Sequence, residues 1–469
     1  MASHATLRRE KSKKPVVRNS HKRITVAEYL LKRLNAFGIR HLFSLTHPHL
    51  ERFHHYAENN SKIFNIDMSS SLALTHAADG YGKTAGFSAL ALTKESPGFI
   101  DALIRASYES VAEVFILGTK RESISHPFDS QDHIEKGLRN LTAGWTVLDD
   151  PKVSAKKIDR IIDYCLHYQK PVCIELAQEI ADECIPPHTT HKTEFQPTDP
   201  NSLSDFLLDL DELLSKAKHP GIFVGRESIA HHVEDDILHF AKRYNIPIIQ
   251  DTPAAFDLLL TFSERMPKQI SYSHKVHLCQ DAAFCDERRY SDIYFKDAVE
   301  ALSLLESRKY YKPTKERSKV TTAKLQILED IAKGYSIVTG PKFSLLFARN
   351  KQLITTDTHL PTYCLEAGIG IKMANPNQVL LAIIDENELH SSLSALQFAE
   401  DHNVKLVICV IDGMCARSTD PFHWNLTELA HLFVDGKAIQ VQNLKSLERA
   451  LKQALHEDDG LFLIDASLL

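Results

Sequence analysis

Histidine is the residue type in this chain that most readily suggests metal or proton-transfer chemistry. His47, His49, His54, His55 and His76 fall in one stretch. Imidazoles are good zinc ligands, and a pair spaced like His47 and His49 can face one way on an extended segment. Against a metal site, the 25 histidines are spread over the whole chain, and no H-x-x-x-H or acid spacing marks out this group. Nucleophilic chemistry has a candidate in Ser71, the last residue of the run Ser69-Ser-Ser71. No pattern beside it activates a hydroxyl, so the run is better read as capping the helix that follows. The eight cysteines (Cys165, Cys173, Cys184, Cys279, Cys285, Cys364, Cys409, Cys415) contain no C-x-x-C pair. Several lie in apolar strands, as reduced buried thiols do, which fits a cytoplasmic protein.

The elements that must position these groups alternate. Thr25 and Glu28 make a T-x-x-E capping box ahead of the apolar ladder Val26, Tyr29, Leu30, Leu34 and Phe37, and Gly38 ends that helix. Strands are expected at 40–45, 63–66, 88–92, 113–117 and 171–176, with helices from about 49 and at 71–84, 99–109 and 155–167. Strands interleaved with helices in this way make a parallel α/β sheet. A Pro-, Thr- and His-rich linker at 186–201 leads to a second unit at 202–308, which repeats the scheme in few residues for a complete doubly wound sheet. After the charged linker 309–320, a third unit at 321–469 has strands at 379–384, 405–411 and 461–464. Units one and three both finish on a helix, a turn and a short strand, which points to an ancient duplication.

Bulk properties agree with three domains. The 469 residues exceed one compact core, at roughly 100–200 residues per domain. Hydrophobic residues at 43% and charged residues at 25% fit a water-soluble globular protein, and no apolar run approaches the ~20 residues of a membrane span. A net charge of −6 argues against a surface built for nucleic acid. Residues 1–23 hold a basic cluster (Arg8, Arg9, Lys11, Lys13, Lys14, Arg18, Lys22, Arg23) that reads as a solvated, disordered arm.

Collinear segments carry a resemblance. Thr25-Val-Ala-Glu-Tyr-Leu-Leu-Lys-Arg-Leu34 followed by Phe37-Gly-Ile-Arg-His-Leu-Phe43 resembles the opening of pyruvate and indolepyruvate decarboxylases. Ala77-Ala-Asp-Gly-Tyr81 with Lys83-Thr84 and Gly86 resembles their first-domain helix, and Lys170-Pro-Val-Cys-Ile-Glu-Leu176 continues the match. Gly221-Ile-Phe-Val-Gly225 resembles the central domain, and Gly460 to Asp465 the end. The resemblance implies three doubly wound parallel-sheet α/β domains of the thiamine-diphosphate-enzyme type, the middle one shortened. It also implies thiamine diphosphate with Mg²⁺, a 2-oxo-acid ligand, and a homodimer or homotetramer, because the family binds its cofactor between the first domain of one subunit and the third of another.

The positions that resemblance marks are largely substituted. The glutamate that holds the cofactor's pyrimidine in its imino form falls six residues before Ala77, at Ser71. Serine has no group that titrates near neutrality. The acid expected after the first strand is replaced by Pro48 in Thr46-His-Pro-His49. Of an expected histidine pair, Ser125-His126 keeps His126, and the third-domain acid falls near Ser418, Thr419 or Asp420. The Gly-Asp-Gly turn that meets Mg²⁺ and the diphosphate reads Ile384-Asp-Glu386, so Asp385, Glu386 and Asn387 stand at the cofactor position. Asp385 with Asp412 (or, one register on, Gly413) leaves two candidate ligands for a hard cation, the alternative being that acids at strand ends cap the next turn. Thr358-His-Leu-Pro361 and Gly340-Pro-Lys342 replace two further glycine-bearing segments. The resemblance therefore implies a catalytically impaired decarboxylase-like protein that acts by binding or assembly. The alternative is an active carbon–carbon lyase, decarboxylase or carboligase, with an unusual proton relay.

Overall fold

The computed structural model describes residues 23–466 apart from 69, 121–136, 188–189, 191, 250–253, 306–329, 331–334, 342–352, 357–361, 412–424, 432, 434–435 and 457–459. Three six-stranded sheets organise them. The first comprises β1 (His41–Ser44), β2 (Phe64–Asp67), β3 (Ser88–Leu92), β4 (Glu113–Thr119), β5 (Gly144–Leu148) and β6 (Val172–Ala177), with order β2-β1-β3-β4-β6-β5 and every pair parallel. Its helices are α1 (Val26–Ala36), α2 (Glu51–Glu58), α3 (Ser71–Ala85), α4 (Phe99–Tyr108), α5 (Pro151–Tyr168) and α6 (Gln178–Ala181). Every residue of β3 and β6 is buried, the mark of parallel strands covered on both faces. The capping box of α1 forms as its residues predict: Glu28 N donates to Thr25 Oγ1 at 3.2 Å and Thr25 N to Glu28 Oε2 at 2.9 Å.

The middle sheet holds β7 (Pro220–Val224), β8 (Ile248–Ile249), β9 (Ala254–Phe262), β10 (Ile270–Leu278), β11 (Ala282–Cys285) and β12 (Arg288–Ser291), with α7 (Pro200–Lys216), α8 (Glu227–Ala230), α9 (Glu234–Tyr244) and α10 (Phe295–Ala301). It is mixed, which corrects the all-parallel expectation: β10–β11 and β11–β12 pair antiparallel. Antiparallel neighbours need only a tight turn, whereas each parallel step needs a crossover. Six strands therefore fit a unit too short to be doubly wound throughout.

The third sheet comprises β13 (Ser336–Thr339), β14 (Leu353–Ile354), β15 (Leu380–Ile384), β16 (Leu406–Ile411), β17 (Lys437–Gln440) and β18 (Leu461–Ala466), all parallel, in the order β14-β13-β15-β16-β18-β17. That is the strand order of the first sheet. Its helices are α11 (Tyr363–Ala374), α12 (Glu386–Ser391), α13 (Leu393–Asp401), α14 (Leu426–Ala430) and α15 (Leu444–His456).

First and third domains join through α3 and α11, which cross on small residues. An added Cβ on Gly80 would lie 2.2 Å from Ala367 O, and one on Gly370 would lie 1.8 Å from Ala77 O. Both helices thus present an Ala-x-x-Gly face, Ala77 to Gly80 and Ala367 to Gly370, each glycine beneath the other helix's alanine carbonyl. One apolar core runs through this crossing and unites the two domains, while the middle domain has a core of its own.

Candidate functional site

In open parallel sheets, ligands lodge beyond the carboxyl ends of the strands where the strand order reverses. In the first sheet that point lies between β1 and β3, and in the third between β13 and β15.

At the first crevice, Thr46, His47 and Pro48 follow β1. Thr46 Oγ1 donates to Asp67 Oδ2, and the His47 imidazole accepts from His49 N at 3.2 Å, fixing the turn that Pro48 opens. A cavity of about 840 Å³ adjoins it, lined among others by Thr46, His47, Pro48, Arg52, His54 and His55. Arg52 is paired there with Asp182 at 2.6 Å. Burial holds the His54 imidazole below its ordinary range, against the opposing pull of Asp67 and Glu58. Burial, then His49, lowers His47 as well. The five early histidines are not brought together: His76 is fully buried against the Tyr363 ring, 5.5 Å between centroids. Among the described residues, no group of three or more His, Cys, Asp or Glu side chains is placed to hold a metal. This agrees with the reading against a histidine metal site: His76 faces the domain junction, and His54 and His55 ride on α2.

Ser71 is the first residue of α3, and its hydroxyl donates to Pro97 O at 2.7 Å. The cap is Ser70, whose Oγ accepts from Ala73 N at 3.5 Å, so the serine run caps the helix as its residues predict, through its middle member.

At the third crevice, Asp385 caps α12 by accepting from Glu388 N at 3.0 Å. Glu386 pairs with His390 at 3.8 Å, Asn387 is exposed, and Asn387 O accepts from Ser391 Oγ at 2.9 Å. Glu388, which sequence reasoning missed, reaches across to α11 and accepts from Cys364 N at 2.7 Å. Burial, with Glu388 next, pushes the buried Glu366 carboxyl up to about 8, and the same two causes push the Cys364 thiol well up. His126, Asp412 and Asp420 lie outside the described residues.

Sequence reasoning also missed a charged network sealed between the first and third domains. Lys83 Nζ, with a fully buried side chain, pairs with Asp79 at 2.7 Å and with Glu109, and donates to Thr355 O at 3.0 Å and Tyr363 OH at 2.9 Å. Tyr363 OH donates to Asp79 Oδ2 at 2.6 Å, Thr356 Oγ1 donates to Glu109 Oε1 at 2.8 Å, and Arg105 Nε stands 3.4 Å from Asp79 Oδ1. Burial would raise the Asp79 carboxyl, but Lys83 and Arg105 overcome it and hold it below the carboxylate range. Burial, then the Asp79 charge, pushes Glu113 up to about 8, so near neutral pH it keeps its proton. Two cations then face two anions, the balance a dry site requires. This network holds the domains together; it offers no open face to a substrate.

Residues 24–141 match the thiamine pyrophosphate enzyme N-terminal TPP binding domain, TPP being thiamine diphosphate. Pyruvate decarboxylase of Aspergillus parasiticus is 24% identical over 239 residues, covering 48% of this chain and 41% of that protein. In sequence the chain is similar to the thiamine-diphosphate-dependent 2-oxo-acid decarboxylases. Pyruvate decarboxylase of Candida albicans is 24% identical over 189 residues (37% of this chain, 33% of the relative), and an alpha-keto-acid decarboxylase of Mycobacterium avium is 27% identical over 169 residues (34% and 30%). The matches to these curated decarboxylases thus span between 30% and 41% of each relative's length. Among solved structures, benzoylformate decarboxylase from Polynucleobacter necessarius superposes with a TM-score of 0.72 at 14% identity, covering 95% of this chain and 99% of that one. The 4-hydroxybenzoylformate decarboxylase of Rhodococcus jostii RHA1 gives 0.72 at 16%, covering 94% and 99%. At such identities the likeness is one of fold, and it extends over the whole decarboxylase architecture.

Proposed function

We propose that this chain keeps the thiamine-diphosphate-enzyme scaffold, has lost efficient 2-oxo-acid decarboxylation, and acts by binding or assembly as a cytoplasmic homodimer or homotetramer. The observation that carries the reading is Ser71. It stands where the family resemblance puts the activating glutamate, and its hydroxyl donates to Pro97 O at 2.7 Å, which supports a site with no acid for the usual proton relay to the cofactor. Pro48 at the start of a turn, and Asp385 engaged as a helix cap, support the same reading. The seven described cysteines are free, in keeping with a reducing compartment. No helix among the described residues is long and apolar enough to cross a membrane.

The test is direct. Purified protein supplied with thiamine diphosphate and Mg²⁺ is assayed for CO₂ release from pyruvate and from aromatic 2-oxo acids. No turnover above background is expected, and measurable decarboxylation overturns the reading.

The match of residues 24–141 to a TPP binding domain favours a second reading, an active carbon–carbon lyase whose aminopyrimidine exchanges protons through water. Calorimetric titration separates the two, because tight Mg²⁺-dependent binding of thiamine diphosphate belongs to the enzyme.

A further inference from the structure

The amino terminus of a helix is an anion site, because its first N–H groups lack partners within the helix and the macrodipole places positive charge there. In the third domain, α11 presents that end at the crevice between β13 and β15. Its own N-cap residue, Thr362, makes no side-chain capping bond. The cap comes from outside the helix, 24 residues on: Glu388 Oε1 accepts from Cys364 N at 2.7 Å. The second oxygen, Oε2, faces the end of β13, where an added Cβ on Gly340 would stand 3.9 Å from it and 3.9 Å from Cys364 Sγ. A carboxylate thus spans the mouth of the crevice, one oxygen toward each wall.

We infer that Glu388 is the resident anion of the third domain, holding the Cys364 N–H in the first turn of α11 and competing with any diphosphate for it. The described residues therefore do not fit an unopposed diphosphate. Asp385 and Glu386 flank Glu388 on the same turn, so an incoming polyanion meets carboxylates where the fold would otherwise offer bare backbone. The middle domain repeats the device. Glu227, just past β7, accepts from Glu264 N at 2.9 Å, just past β9, across that sheet's own reversal point. An added Cβ on Gly225 would lie 2.2 Å from Glu227 Oε2, so that carboxylate also fills its crevice.

The inference rests on the reading that this crevice no longer serves decarboxylation, and the experiment separates the two. Inorganic pyrophosphate is titrated calorimetrically, with and without Mg²⁺, into the full-length wild type, Glu388→Ala and Glu388→Gln, with circular dichroism to verify folding. Glu388→Ala should gain about tenfold or more in pyrophosphate affinity, since one opposing charge and one competing acceptor are removed. Glu388→Gln keeps the shape and an acceptor without the charge, so it should gain less, in the same direction. Equal affinity in all three folded proteins overturns the role of Glu388 even where decarboxylation is absent. Turnover by the wild type overturns the functional reading, whatever the variants bind.

Discussion

Gly370 lies directly beneath the carbonyl oxygen of Ala77, so close that a single added methyl group would sit 1.8 Å from it. Gly370→Ala should therefore force α3 and α11 apart and cost about 3 kcal/mol or more. Gly368→Ala, two residues away, meets only ordinary contacts with Leu380 at 3.4 Å and Leu406 at 3.5 Å. It should be neutral, or stabilising by up to about 1 kcal/mol through helix propensity. Urea unfolding of the two variants measures the contrast; equal effects would mean the crossing is not tight.

Lys83→Met removes the cation shared by Asp79 and Glu109, whose side chains are buried from solvent. A loss of about 3–5 kcal/mol is expected. The loss should shrink when Asp79→Asn is added, because neutralising the stranded carboxylate relieves part of it. A double-mutant cycle in urea measures that coupling.

Glu113 sets a pH dependence whose sign follows from its raised pKa. The folded chain holds that proton up to about 8, whereas the ordinary glutamate value is 4.5. Between those values the folded state binds more protons than the unfolded state, so this group's contribution is full below 4.5 and is lost as pH rises toward about 8. Wild type should lose stability relative to Glu113→Gln by up to about 1.4 kcal/mol per pH unit across that window. Unfolding midpoints of both proteins from pH 5 to 8.5 check it, and parallel profiles would refute it.

The middle domain is docked on the first by a stack of rings. Phe195 and Tyr294 sandwich His167 at centroid distances of 3.7 and 4.6 Å, and Tyr294 OH donates to His167 O. Tyr294→Ala should free the middle domain to unfold separately, seen as faster limited proteolysis within 200–305 and a second calorimetric transition. A single unchanged transition would show that the docking lies elsewhere.

What was legible in the residues was the alternation of elements and the ends of the strongest helices. Thr25 and Glu28 announced α1 because both halves of a capping box lie within four residues. Several strands were not legible. β10 keeps most of its first half in solvent, so Ser271-Tyr-Ser-His-Lys275 carries little of the apolar signal of a strand. Asp79 with Lys83 and Arg105 with Glu109 have the spacing of solvent-exposed helix pairs. The clue to burial was their company, since Ala77, Ala78, Gly80, Tyr81 and Gly82 leave Asp79 no polar face to occupy. Glu388 was illegible for a different reason. A glutamate in the first turn of a helix has a sufficient local explanation, and only the tertiary fold brings Cys364 within its reach.

The junction of α3 with α11 also dictates the order of events at the ribosome. Asp79 and Tyr363, bonded in the finished protein, are 284 residues apart in the chain. At ~5–20 residues per second, the amino-terminal third waits roughly 15–60 s for its counterpart to emerge. During that interval Lys83, Asp79 and Arg105 remain hydrated and keep the waiting surface polar, while the small alanine and glycine surfaces beside them give nascent neighbours little to grip. Charges that the closed core neutralises in pairs are thus, on a half-made chain, the groups best able to stay in water.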